Sequence, residues 1–97
     1  MKLYSIKIKS LKAYKAPFNA PSDQAAVLGV CEAFKEGLIN GKVLDINDLS
    51  IFLVGSFDDK SGNIQKTKPK LVTDLADVPG IQSFLKGVVD VVSDAVQ

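Results

Sequence analysis

Hydrophobic and polar positions alternate over residues 2–9, with Tyr4, Ile6 and Ile8 on one side and Ser5, Lys7 and Lys9 on the other. A period of two is that of a half-buried strand, and here the outer face carries lysine. Ser10-Leu11-Lys12-Ala13 is expected to turn the chain. Tyr14 to Phe18 then returns as a short strand, limited by Pro17, which has no N–H to donate to a ladder. The period changes after Pro21. Val27, Val30, Cys31, Phe34 and Leu38 recur at three and four residues and form one apolar helical stripe. Ser22 is the expected N-cap, acids near the first turn suit the positive end of the helix dipole, and Asn40-Gly41 tolerates the left-handed backbone of a stop. A helix is therefore predicted over about 22–39. Gly29 inside it costs about 1 kcal/mol against Ala and suggests close packing on the sheet.

Residues 42–48 read as a loop. Leu49 to Phe57 is the strongest strand, apolar on both faces in its middle, which predicts a central strand covered on two sides. Asp58 to Asn63 is rich in turn formers, with Gly62 available for positive φ. Ile64 to about Lys70 returns as the second strand of a hairpin. The period of two puts Lys66, Lys68 and Lys70 on one face, and Pro69 suggests an edge. Leu71 to Val78 stays open between a loop and a short helical turn. Pro79-Gly80 breaks the chain, and Ile81 to Val96 is helical by pattern. Ile81, Phe84, Val88, Val91 and Ala95 form one seam, and Leu85, Val89, Val92 and Val96 an adjacent one. So wide an apolar arc is either buried deep in the monomer or meets another subunit. In so short a chain self-association is expected, with Ile81, Phe84, Leu85, Val88, Val89, Val91 and Val92 as the oligomer interface. The fold class predicted is a single α+β domain over residues 1–97, an antiparallel sheet of three to four strands packed with two helices.

Composition narrows the chemistry. The 97 residues leave room for one domain, and the apolar fraction of 46% argues against wholesale disorder. No apolar run approaches the roughly 18 residues that span a bilayer, and the charged, alternating N-terminus is not expected to act as a signal peptide. There is no His, so the usual general base near neutral pH and a common zinc ligand are missing. The single cysteine, Cys31, has no internal disulfide partner; among Val27, Val30 and Phe34 it reads as a small buried hydrophobe and suits a reducing cytoplasm. All twelve cations are Lys, and the net charge of +1 conceals segregation. Residues 1–20 hold five Lys and no acid, residues 21–59 two Lys and seven acids, residues 60–70 four Lys and no acid, and residues 71–97 one Lys and four Asp. Such segregation can build a basic face on a nearly neutral molecule.

The stretch Leu49 to Ile64 resembles the strand-and-turn signature of the small nonstructural protein of the gokushoviruses, single-stranded-DNA phages of the Microviridae. In that family a strand ends in Gly-x-Phe-Asp, a turn ends in Gly, and a strand returns; the matching positions are Gly55, Phe57, Asp58 and Gly62. The opening Met1 to Lys7, the segment Ala13 to Phe18 and the helix after Pro21 are similar in order and spacing. The resemblance covers roughly residues 1–70. The Val-rich C-terminal segment lies outside it, and the loop before the central strand lacks the family's commoner His-Pro pair. The resemblance implies a protein of the infected bacterial cytoplasm, absent from the mature virion, acting in viral DNA synthesis or the switch to single-strand production. It implies no catalytic residues, and a non-enzymatic role without cofactor or metal is expected.

The basic face is the functional candidate. Lys7, Lys9, Lys12 and Lys15 would align with Lys66, Lys68 and Lys70 if their strands share a sheet, and lysines neutralise phosphates without reading sequence. Tyr14, and Phe18 beside it, offer stacking surfaces of the kind used by non-specific single-strand binders. The same lysines also read as a solvated edge kept from pairing with other chains. Single-stranded DNA is thus one expected partner. Viral or host replication proteins engaged through the C-terminal helix of a self-assembling interaction module are the alternative. Asp58, Asp59 and Asn63, like Asp45, Asn47 and Asp48, fall short of a calcium loop and read as plain turns.

Overall fold

The computed structural model describes residues 1–39 and 45–81. Strand β1 spans Lys2–Ile8, β2 Ala13–Tyr14, β3 Phe18–Ala20, β4 Leu49–Phe57 and β5 Ile64–Asp74, with one helix, α1, over Asp23–Ile39. The sheet is antiparallel and five-stranded, in the order β2-β1-β4-β5, with β3 also pairing β1. Three to four strands were expected. The extra one arises where Lys15-Ala16-Pro17 splits the anticipated Tyr14–Phe18 strand, so that two short pieces lie end to end along one edge of β1. The fold is α+β with one helix of seven or more residues among the described residues. The second expected helix falls on residues 82–97, outside them, as do Phe84, Leu85, Val88, Val89, Val91 and Val92 of the expected interface. Ile81 is described and is only 1% exposed in the single chain.

Alternation along β1 and β4 decides which face is filled. Tyr4, Leu49 and Ile51 are buried on one face and pack with Ala26, Val30, Cys31 and Phe34 of α1 and with Leu75. Ser22 begins the helix as expected: its Oγ accepts the Ala25 N–H at 3.1 Å. Gly29 corrects the close-packing expectation, since a Cβ there would meet nothing within 4 Å. The hairpin forms at the anticipated residues. The Asp58 carboxylate accepts the Lys60 N–H at 3.0 Å, and Gly62 takes φ of 77°. These backbone contacts draw the Asp58 carboxyl below its ordinary pKa and fit a turn. β5 runs on to Asp74 before a single 3₁₀ turn at Leu75–Asp77 anchored by buried Leu75. The stretch left open in the sequence is therefore half strand and half turn.

Gly55 of the signature has a steric reason. At this point the β4–β5 register shifts between Leu53 and Gly55, and β1–β4 shifts between Leu3 and Tyr4. A Cβ on Gly55 would lie 2.5 Å from the Gln65 carbonyl oxygen. Two strands close on β4 at this irregularity, and only a residue without a side chain admits them.

Candidate nucleic-acid interface

The face of the sheet opposite α1 carries the polar and basic residues. Direct cross-strand partners share a face. Lys7 of β1 pairs Tyr14 of β2 on one side and Ser50 of β4 on the other, and Ser50 pairs Asp74 of β5. Phe52 follows Ser50 by two residues and lies on the same face. The result is a compact cluster. The Tyr14 and Phe52 rings meet edge-on with centroids 5.5 Å apart. Lys7 Nζ sits 5.5 Å from the Tyr14 centroid and 5.6 Å from that of Phe52, a cation over two π faces. Tyr14 remains 43% exposed, so ring surface is open to solvent. Phe52 was not singled out from sequence; its place in a strand apolar on both faces was the available signal. Among the described residues the second face of β4 is covered by this cluster and not by a helix.

The surrounding hydroxyls are satisfied. Ser5 Oγ donates to the Lys15 carbonyl at 2.6 Å, which straps the chain after β2 onto β1. Ser50 Oγ donates to Asp74 Oδ1 at 2.5 Å, and Lys9 Nζ lies 3.0 Å from the same oxygen. The Ser50 hydrogen bond, then Lys9, holds the Asp74 carboxyl below the usual pKa. At the same end of the sheet, Ser10 donates through N–H and Oγ to Asp48. Lys12 caps the Lys9–Leu11 turn in left-handed conformation, and its side chain, like that of Lys15, is exposed.

The single cationic strip expected from the sequence is not built. Lys66 pairs Gly55, which pairs Leu3, whereas Lys70 pairs Leu53, which pairs Tyr4. Leu3 and Tyr4 are consecutive in β1 and face opposite ways, so Lys66 and Lys70 do too; Lys68 falls in the irregular stretch between them. The two register shifts overturn the period-of-two argument. Lys66 shares the open face, but its row is four residues from that of Lys7 along β1, about 14 Å, and two strand spacings across, about 10 Å. Lys9 is engaged by Asp74. Lys7 therefore remains at Tyr14 and Phe52, Lys12 and Lys15 are exposed just before and just after β2 in the chain, and Lys66, Lys68 and Lys70 are exposed along β5 without sharing one face. Phe18 packs against buried Tyr4, with ring centroids 6.0 Å apart, and is not part of the platform.

The other concavity lies on the helix side. A groove of about 450 Å³ is lined by Val27, Leu28, Cys31, Val72, Val78 and Ile81, together with two carboxylates, Asp23 and Asp77, and one ammonium, Lys35. Its walls are apolar and its charge is unsuited to a polyanion. Burial pushes the Cys31 thiol up, against a smaller opposing effect of Lys35, away from a reactive thiolate.

Comparison with known proteins adds the lineage. The family model described as Phage ORF5 protein matches residues 1–78, from the first strand through the turn after β5. The chain belongs to the Phage ORF5 protein family. No match was found among curated proteins or solved structures. The matched region contains Gly55, the hairpin and the whole Lys7–Tyr14–Phe52 cluster of this Phage ORF5 family member. It ends before the Val-rich segment. Among the described residues no helix is long and apolar enough to cross a membrane, and no group of metal-binding side chains occurs.

Proposed function

We propose that this phage protein is a non-enzymatic, gokushovirus-type nonstructural protein that binds single-stranded DNA weakly and without sequence preference during viral DNA synthesis. It acts in the cytoplasm of the infected bacterium and not in the virion. The observation that carries this reading is the Lys7–Tyr14–Phe52 cluster on the open sheet face. An unpaired base stacks on an exposed aromatic ring face whatever its identity, and flanking ammonium groups neutralise its phosphates. Lys7, Lys12 and Lys15 supply that charge. No Arg occurs in the chain, which leaves bidentate guanine recognition without its commonest donor and fits sequence-independent contact. Lys66, exposed on the same face, offers a second, weaker phosphate contact.

Fluorescence anisotropy with labelled oligothymidine over a salt series tests this. Affinity is expected to fall as salt rises, with a log–log slope of about −0.7 per phosphate contact. Tyr14→Ala is expected to cost about 1–3 kcal/mol of binding. Lys7→Glu with Lys15→Glu is expected to weaken binding more than charge reversal at Lys66, Lys68 and Lys70. No binding at low salt would remove the proposal.

A further inference from the structure

We propose that Asp74 is a negative determinant of the nucleic-acid path, withholding Lys9 from the strand and turning the polyanion away from β5 toward the Lys12–Lys15 side of the sheet. The inference rests on the reading of the open face as a single-strand platform. Asp74 lies in the same cross-strand row as Lys7, with Ser50 between them, on the platform's own face. Its Oδ1 takes both the Ser50 hydroxyl and the Lys9 ammonium. The pair is open to water, with side-chain exposures of 44% for Lys9 and 34% for Asp74. A phosphate reaching Lys9 must therefore displace a carboxylate and then sit beside it.

Charge differs across the platform. Asp74 stands about 10 Å from the Lys7 strand, two strand spacings away, and Asp48, held by Ser10 in the turn between β1 and β2, is already occupied by that turn's N–H and hydroxyl. On the β2 side residues 12–22 carry Lys12 and Lys15 and no acid, and the nearby Asp48 is engaged by Ser10. A strand stacked on Tyr14 and Phe52 meets repulsion when it crosses β5 and attraction when it crosses β1 and β2. Asp74 is ionised at neutral pH, as any carboxyl of ordinary pKa is, and the hydrogen bond from Ser50 holds it in place.

Asp74→Asn removes the charge and keeps an oxygen to accept the Ser50 hydroxyl. In the full chain, by anisotropy with oligothymidine, it is expected to tighten binding about fivefold at low salt and to steepen the salt slope by about 0.7, one added phosphate contact. Combining it with Lys9→Met is expected to abolish the added slope. If wild type binds and Asp74→Asn binds no more tightly, with an unchanged circular-dichroism spectrum, the inference is overturned. A slope gain that survives in the double variant overturns the claim that Lys9 is what Asp74 withholds. Failure of the wild type to bind at low salt defeats the platform reading instead, and the inference with it.

Discussion

Replacing Gly55 by Ala adds one methyl group at the most crowded point of the sheet. The new Cβ would stand 2.5 Å from the Gln65 carbonyl oxygen, 3.3 Å from Lys66 Cα and 3.4 Å from the Gln65 carbonyl carbon. The first contact is about 0.9 Å inside the distance where ordinary contact begins. All three atoms are backbone, so no rotamer change relieves the clash. β5 must move away from β4 where their register is already irregular. Overpacking of this kind costs about 1–3 kcal/mol. For a domain of this size each kcal/mol lowers Tm by about 4–8 °C, so a fall on the order of 10 °C is expected. Thermal melts followed by circular dichroism, with urea titration as a second probe, measure it. A Gly55→Ala protein melting within about 2 °C of wild type would refute the steric account of this signature glycine.

The same substitution at Gly29 has the opposite sign: with an exposed helical site and nothing near the added methyl, Gly29→Ala is expected to stabilise by about 0.4–1 kcal/mol, and a lower Tm would contradict it. Tyr4→Phe removes the hydroxyl that donates to Asp23 at 2.5 Å and is expected to cost about 1 kcal/mol in urea titration. Burial first, then Asp23, pushes the Tyr4 pKa from 10.0 up to about 12. The neutral phenol is thus favoured by folding, and its contribution is complete below pH 10.0 and lost as pH rises toward about 12. The alkaline limb of the stability curve should be shallower in Tyr4→Phe, and equal limbs in the two proteins would count against that linkage. Cys31, 6% exposed with a raised pKa, should react with Ellman's reagent far more slowly in the native protein than in urea; equal rates would place it at the surface.

Local features were legible in the sequence because they depend on neighbours in the chain. The alternation of β1, the Ser22 cap, the Asp58–Gly62 turn and the Val30–Cys31–Phe34 stripe each follow from residues a few positions apart. The lysine faces were not legible. The rule that residues two apart share a face holds only while the ladder is regular, and the shifts around Leu53 and Gly55 put Lys66 and Lys70 on opposite sides. The platform was half visible. Lys7 and Tyr14 stood out by charge and aromaticity, but Phe52 joins them across 38 residues of chain through strand pairing with β1. The engagement of Lys9 by Asp74 likewise joins residues that only the β1–β4–β5 order brings together.

Titration of isotope-labelled protein with oligothymidine at low salt, followed by amide and side-chain NMR shifts, tests the central claim most directly. The open-face account predicts saturable shifts centred on Lys7, Tyr14, Lys15 and Phe52, smaller ones on the Lys66–Lys70 hairpin, and none along the exposed side of α1. Shifts centred on the α1 groove, or no shifts at all, would contradict it.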